Sequence, residues 1–176
     1  MNRTASEEML AQERGVLAYV QKAIGSLGYE TRLFAPGESS SALTNHLLLV
    51  GVERDDKGRD RTLMLSFLPF PAEDDFAYLS LLQWYAPLPF VVPAEHRLAV
   101  ERLLTTINAR TSVGYFGLAA DGRPFFRYVL ATSKWARVEV ETIQQLLLVF
   151  THMQDRFGPT IEAVAEARTA YRSIHE

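Results

Sequence analysis

The residue types that most often bind metals or transfer protons are sparse in this chain and poorly spaced for either task. Two histidines four residues apart on a helix would form half of a zinc site. No such pair exists among His46, His96, His152 and His175. His46 begins an apolar strand, where a histidine is more often partly buried than a metal ligand. The sequence therefore predicts no metal site and no cofactor.

Two acidic clusters are candidates for a cation-binding site. Asp55, Asp56 and Asp60 are interrupted by Lys57 and Arg59, and the ligand spacing of an EF-hand is missing. The favoured interpretation is the solvated tip of a hairpin. The acidic run 73–75 is interpreted as a polar loop between strands. Phosphate-binding glycine loops and the G-x-S-x-G turn are also missing from the sequence, so we predict that the protein is not an enzyme.

Aromatic residues and one arginine are the candidates for binding. Trp84 and Tyr85 point to opposite faces of one strand, so at least one of them is expected to pack in the core. Arg127 lies between phenylalanine and tyrosine. It either binds an acidic group of a partner or, as favoured here, stacks on a ring and pairs with an internal carboxylate. The protein-binding candidates are Trp84, Tyr85, Phe90, Arg127 and Tyr128.

The first elements that position these residues are a helix and four strands. Thr4 and Glu7 form a capping box, and Gly28 ends the helix. Its apolar stripe consists of Leu10, Leu17, Val20, Ile24 and Leu27. The strands are predicted at 29–34, 45–53, 62–70 and 77–86. Within them, 47–50, 63–65 and 79–82 are apolar at successive positions, which is typical of strands buried on both faces.

The middle helix carries Val100, Leu103, Leu104 and Ile107. Asn108 is expected to end this helix in a left-handed conformation. A hairpin at 113–130 follows. Asp121-Gly122 predicts a two-residue turn. This register would place Gly117 opposite Phe126, Tyr115 opposite Tyr128 and Phe116 opposite Arg127.

The C-terminal part returns to helical spacing, with one helix predicted at 139–157 and a second, after the break at Gly158-Pro159, at 159–175. The order is thus α-β-β-β-β-α-β-β-α-α. This order predicts an α+β fold in which helices pack on a mostly antiparallel sheet. A single domain is expected over residues 1–176.

The chain resembles the YbjN-like family in 82–90, in Asn108, in Phe116-Gly117 and in Phe126-Arg127-Tyr128. The resemblance covers about residues 12–160 on the usual size of a domain, which leaves 159–175 as an extra helix. It implies the type III secretion chaperone-like fold. The family is described as sensory-transduction regulators or chaperone-like proteins, and the resemblance brings no catalytic residues.

Composition narrows the function classes further. Of the 176 residues 48% are hydrophobic and none is cysteine, so disulfides and cysteine nucleophiles are excluded. The net charge of -3 comes without a basic stripe, which argues against nucleic-acid binding. The polar N-terminus and the absence of a long apolar run predict a cytoplasmic protein without a membrane partner.

Two functions remain open. The first is a non-enzymatic protein-binding, chaperone-like or regulatory module, which would show a broad apolar groove or an exposed strand edge. The second is a small-molecule-binding domain or small enzyme that uses the aromatic and arginine face of the 113–130 hairpin, and it would show a concave pocket. The two-sided strands also predict a homodimer, unless the C-terminal helices cover the second face of the sheet.

Overall fold

Six strands form one sheet in the computed structural model, which describes residues 3–38, 44–69 and 78–168, with side chains from Glu7 onward. The strands are β1 Thr31–Phe34, β2 Leu47–Val52, β3 Arg61–Phe67, β4 Leu79–Pro87, β5 Tyr115–Leu118 and β6 Pro124–Ser133. The helices of the described ranges are α1 Arg3–Ser26, α2 Arg97–Asn108, which follows a short 3-10 turn, and α3 Val140–Ala165. The sheet order is β1-β2-β3-β4-β6-β5. The predicted α+β fold with an antiparallel sheet is confirmed.

Two compact units divide these elements. Unit 1 comprises residues 1–52, 62–84 and 129–147, and unit 2 comprises 53–61, 85–128 and 148–176. Whether 1–176 is a single domain therefore stays a prediction. The acidic run 73–75, the adjoining ends of the strands predicted at 62–70 and 77–86, and the end of the last predicted helix lie outside the described residues. Across the described helices, none has the length and hydropathy needed to cross a bilayer.

The N-terminal helix packs as its apolar spacing predicts. Leu17, Val20 and Ile24 are fully buried, and Gly28 follows the helix with φ +91°, a conformation that glycine adopts at little cost. The start of this helix is predicted less well. The helix already includes Arg3, so Thr4 is not the residue that precedes it, and the side chain of Thr4 lies outside the described side chains.

The strands of unit 1 are buried on one face only in this chain, so the described helices do not cover the second face that the sequence predicts to be buried. Leu48 and Val50 are buried, whereas Leu47 and Leu49 are half-buried, and β3 and β4 alternate in the same way. We call the half-buried side the open face. It includes Arg32, Phe34, Leu47, Leu49, Met64 and Leu81. Leucine at successive positions thus reflects one core face and one apolar face that the described helices leave half-exposed.

The β5–β6 hairpin has a different register from the predicted one. Phe116 pairs with Phe126 and Gly117 with Phe125, one residue away from the expected pairing. The cause is the loop: the N–H of Ala119 donates to the carbonyl of Arg123, and Gly122 has φ +83°. Three residues thus form the turn, with glycine in the left-handed position that such a loop requires. A shift of one residue in the strand pairing moves each side chain of the shifted strand to the opposite face of the sheet.

The C-terminal segment is one helix where two were predicted. α3 runs through Pro159, although proline removes a backbone hydrogen bond from a helix interior. Buried Phe150, Ile161 and Val164 continue one apolar face across the proline, and this packing outweighs the local break. The helix ends at Ala165 in a Schellman motif, with Ala167 at φ +53° and the N–H of Arg168 donating to the carbonyl of Ala163. It therefore does not extend to residue 175 as one helix.

Candidate functional site

Unit 2 contains a chain of phenylalanine rings that joins β5, β6 and α3. The ring centroids of Phe116 and Phe126 lie 4.8 Å apart, and those of Phe126 and Phe150 lie 4.9 Å apart. Phe157 meets Phe116 edge-on at 5.7 Å. Tilted and edge-on ring pairs of this kind stabilise a core beyond the area they bury. The second half of α3 is therefore held firmly against the hairpin.

Asn108 attaches the end of α2 to β5. Its side-chain Nδ2 donates to the carbonyl of Phe116 at 2.8 Å, and its Oδ1 accepts the N–H of Phe116 at 2.7 Å. α2 ends at Asn108 as predicted, but the left-handed conformation expected there is wrong, because Asn108 is helical and Ala109 after it has φ −61°. The amide instead supplies both hydrogen bonds that a neighbouring strand would have given to Phe116.

A groove of about 630 Å³ lies between α2 and the second half of α3. On α3 it is lined by Leu148, Val149, His152, Met153, Arg156, Phe157 and Thr160, whose spacing places them on one helix face. The other wall consists of Leu103, Thr106, Ile107, Arg110, Thr111, Ser112 and Val113. We call this feature the α2–α3 groove. All its lining residues belong to unit 2.

The groove has an apolar interior and a basic rim. Leu148 is 67% exposed and Val113 is 40% exposed, which is unusual for large apolar side chains so close together. The titratable lining residues are Arg110, His152 and Arg156, and no carboxylate is among them. Neither arginine has an ion pair with a carboxylate of the described ranges. The groove can therefore accept an apolar surface that carries negative charge.

Two of the four hydroxyl side chains that line the groove, those of Thr106 and Thr111, donate to the backbone. Thr111 donates to the carbonyl of Ile107 at 2.9 Å, and Thr106 donates to that of Arg102 at 3.3 Å. A catalytic pocket needs convergent polar groups that are free to meet a substrate. The groove offers shape, apolar area and positive charge.

The 54–60 segment is mostly exposed, as its interpretation as a solvated tip predicts, but Arg59 and Lys57 also tie it to α3. Arg59 donates from both terminal nitrogens to Glu162, at 2.6 and 3.1 Å, and from Nε to Asp55 at 2.6 Å. Lys57 adds an ion pair to Glu162 at 2.8 Å. The hydrogen bonds from Arg59 lower the pKa of Glu162 below its usual value. The alternating charges thus pair with one another and with a helix distant in sequence.

The structure brings together two of the five predicted binding residues. The Tyr85 ring lies 4.8 Å from that of Phe125, which meets Tyr115 at 6.1 Å. Arg127 donates from Nη1 to the Tyr115 hydroxyl at 2.8 Å. The expected internal carboxylate for Arg127 is not found among the described residues. These four side chains share one face of the hairpin region in unit 2.

The other three predicted residues lie elsewhere. Trp84 is fully buried in unit 1, so it belongs to the core and offers no surface to a partner. Tyr128 is half-buried on the side of β6 opposite to Arg127. Phe90 lines a smaller cavity of unit 2, where the Arg59 guanidinium carbon lies 5.8 Å from the ring centroid.

A buried acid–histidine pair occurs in unit 1. Glu13 is 3% exposed and His46 is 6% exposed, and Glu13 Oε2 lies 3.8 Å from His46 Nδ1. Burial raises the pKa of Glu13 to about 7, against the opposing effect of a backbone hydrogen bond from His46. Burial and the nearby charge of Arg14 lower the pKa of His46. His46 lies directly before β2 and is more deeply buried than the partly buried histidine that the sequence predicts, and sequence reasoning missed Glu13 on α1 as its neighbour.

Sequence reasoning also missed the α2–α3 groove. Leu148, His152 and Arg156 follow one another at four-residue spacing, which is a signal that could have been found. The position of Arg110 opposite these α3 residues depends on tertiary packing, and no local sequence pattern predicts it. Among the described residues, no group of three or more acidic residues or histidines is placed to hold a metal ion.

Comparison with known proteins gives one family and no individual relative. No curated protein is similar enough in sequence to match the chain. The family model YbjN, described as "Putative bacterial sensory transduction regulator", matches residues 57–163. The match starts later than residue 12, where the resemblance was expected to begin, and it includes the whole α2–α3 groove. Because it covers more than half of the 176 residues, the chain belongs to the YbjN family.

Proposed function

We propose that this chain is a non-enzymatic, protein-binding regulatory module of the bacterial cytoplasm, and that the α2–α3 groove is its docking surface. The observation that carries the proposal is the combination of exposed Leu148 and Val113 with a rim of Arg110, His152 and Arg156. A large exposed apolar surface bordered by charge is typical of protein interaction sites. The family description, a regulator of sensory transduction, agrees with such a role.

The occupant that fits this groove is an amphipathic helix of a partner protein with acidic residues beside its apolar face. Grooves between two helices commonly accept such a helix through apolar residues spaced three and four apart. The α3 wall from Leu148 to Thr160 is about 18 Å long at the rise of an α-helix, which matches about three turns of a partner. The whole chain carries a net charge of -3, so the basic rim is a local exception that favours acidic partners.

Two synthetic peptides test the proposal directly. Both have leucines at three- and four-residue spacing over about four turns, and one carries glutamates where the other carries lysines. In fluorescence anisotropy with the full chain, we expect the acidic peptide to bind at least tenfold more tightly, about 1.4 kcal/mol in binding free energy. Leu148→Glu should lower that affinity at least tenfold, because it places a carboxylate within the groove.

Leu98→Glu is the matched control. Leu98 is 60% exposed on α2 but does not line the groove, so its replacement should leave peptide affinity unchanged. Equal binding of both peptides, or equal effects of the two glutamate variants, would refute the groove as the docking surface.

A small-molecule site or small enzyme on the 113–130 hairpin has weaker support. The rings of Tyr85, Phe125 and Tyr115 contact one another, and Arg127 uses Nη1 on Tyr115. Neither of the two cavities of unit 2 found beside α3 is lined by these residues, whereas a small-molecule site is normally concave. Tyr115 is 40% exposed, and the face could instead extend the protein-binding surface.

Self-association is proposed through the open face of unit 1. Leu47, Leu49 and Met64 on this face are apolar and only half-buried. A twofold partner presents the same apolar surface and is the simplest cover. Light scattering during size-exclusion chromatography should give twice the monomer mass of 19.8 kDa. A mass of 19.8 kDa throughout a dilution series from micromolar concentration would refute the dimer.

A further inference from the structure

A glutamate lies within the apolar stripe by which α1 packs in unit 1. Glu13 precedes Val16 and Leu17 by three and four positions, so the three side chains share one face of the helix. All three residues are buried. A carboxyl group is almost never fully buried unless it is paired. The position of Glu13 therefore calls for a partner in the core.

The partner that the fold offers is His46, directly before β2. Its backbone N–H donates to the Glu13 carboxyl group, and its ring nitrogen Nδ1 lies 3.8 Å from Glu13 Oε2. Neither Oε2 nor Nδ1 has a hydrogen-bond partner within the described part of the chain, and both atoms are shielded from solvent. Asn45 donates from Nδ2 to the carbonyl of Phe67 at 3.0 Å, which holds the backbone beside His46 in place. Two titratable groups thus face each other in a closed site of unit 1. We call them the Glu13–His46 pair.

The charged side chains around the pair are exposed. α1 packs on β1 and β2. On α1 itself, Arg14 is exposed, and its charge contributes to the lowered pKa of His46. β1 contributes Arg32, which is exposed on the open face, and β2 has no titratable side chain. Arg137, which precedes α3, is exposed and lies 5.3 Å from the ring centroid of Tyr19 on α1. The charge inside the site is therefore set by the pair itself.

Electrostatics limits the charge that this site can hold. A carboxylate beside a neutral imidazole leaves one uncompensated charge in the core, which is costly. The pair is neutral overall when it carries one dissociable proton, whether that proton resides on Glu13 or on His46. Burial acts on both groups in the direction that a neutral pair requires, because it raises the pKa of Glu13 to about 7 and lowers the pKa of His46.

We propose that Glu13 and His46 share one proton and thereby form a latch that holds α1 on β2, and that loss of this proton loosens α1. A carboxyl group with a raised folded pKa contributes stability that is complete below 4.5, the ordinary value for a glutamate, and is lost as the pH rises to about 7. A histidine with a lowered folded pKa contributes in the opposite direction, since its contribution is complete above 6.5 and is lost as the pH falls. The two contributions oppose each other just below pH 6.5, and above it only the loss from Glu13 remains. The latch does not depend on the proposed docking function, because the α2–α3 groove belongs to unit 2.

Hydrogen–deuterium exchange of the full chain, corrected for the intrinsic effect of pH on exchange, tests the latch. In the wild type, protection of the α1 amides should be about threefold lower at about pH 8 than at about pH 6, because half a pKa unit between 6.5 and 7 corresponds to that ratio. Protection of the α2 amides should not change. Glu13→Gln keeps the shape of the side chain but cannot ionise, so it should raise α1 protection at about pH 8 by about tenfold or more. Glu8→Gln, the same change at an exposed position of α1, should leave α1 protection at the wild-type level.

His46→Asn removes the opposing contribution, so α1 protection should fall with pH more steeply just below pH 6.5 than in the wild type. A profile parallel to that of the wild type would show that the imidazole does not share the proton. Equal or lower protection of Glu13→Gln at about pH 8, or failure of this variant to fold, would overturn the latch, because the fold would then need the charged carboxylate. Carboxyl carbon NMR of the wild-type chain gives a direct check. The Glu13 resonance should titrate near pH 7, and titration near the ordinary value of 4.5 would contradict the proposal.

Discussion

Gly114→Ala is expected to lower the free energy of unfolding by about 2–4 kcal/mol, the sum of about 1 kcal/mol for a left-handed alanine and about 1–3 kcal/mol for overpacking. Gly114 has φ +70°, and a Cβ atom there would lie 2.6 Å from Phe126 Cζ and 2.7 Å from the backbone oxygen of Arg127. Phe126 is fully buried in the ring cluster, so it has little room to move. Urea denaturation followed by tryptophan fluorescence measures the change.

Gly58→Ala is the control for the backbone contribution alone. Gly58 has φ +75°, and a Cβ atom there would meet nothing within 4 Å. We expect a loss of about 1 kcal/mol from the strained conformation. If Gly114→Ala and Gly58→Ala lower the free energy of unfolding by the same amount, crowding against Phe126 is not the reason that position 114 requires glycine. The comparison therefore separates crowding against β6 from conformational strain.

Glu162→Gln is expected to lower the free energy of unfolding at neutral pH by about 2–3 kcal/mol, somewhat below the usual effect of breaking a buried ion pair because Arg59 is partly exposed. The substitution keeps the shape of the side chain but removes the charge that faces Arg59 and Lys57. The same denaturation experiment measures the loss. Glu166→Gln is the matched control, since Glu166 is an exposed carboxylate that lies 3.9 Å from Lys57.

The effect of Glu162→Gln should depend on pH in a defined direction. Hydrogen bonds from Arg59 hold the pKa of folded Glu162 below the ordinary value of 4.5 for a glutamate. A carboxylate with a lowered folded pKa contributes stability that is complete above the unfolded pKa and is lost as the pH falls through the folded pKa. The difference between wild type and Glu162→Gln should therefore be constant above about pH 5 and shrink below 4.5. A difference that grows toward acid would contradict the paired arrangement.

Periodicity predicted the helices and strands well where one face is buried. Leu17, Val20 and Ile24 lie in the core as their spacing indicates. Runs such as 47–50 do not indicate what covers the second face, because successive leucines look the same whether both faces are buried or one stays half-exposed. The hairpin shows how little separates two registers: Asp121-Gly122 fits a turn of two residues or three, and Gly122 adopts positive φ in either.

Long-range packing explains what sequence patterns missed. Pro159 is a strong local signal for a helix break, yet the buried apolar face of α3 continues through it. Arg59 and Glu162 are far apart in the chain, so nothing local indicated that the charged 54–60 segment would bind α3. The α2–α3 groove escaped prediction for the same reason. Arg110 and Arg156 line one groove only once α2 and α3 have packed. Tyr85 and Arg127, by contrast, were chosen by residue type and do lie in one cluster.

A reversal of charge tests the docking proposal most directly. The double variant Arg110→Glu, Arg156→Glu replaces the two arginines of the groove, and neither has an ion pair with a described carboxylate, so the fold should be retained. Anisotropy with the two leucine-rich peptides should show the preference inverted, with the lysine peptide now bound more tightly than the glutamate peptide. If the variant still binds the glutamate peptide more tightly than the lysine peptide, the groove does not select its partner by charge.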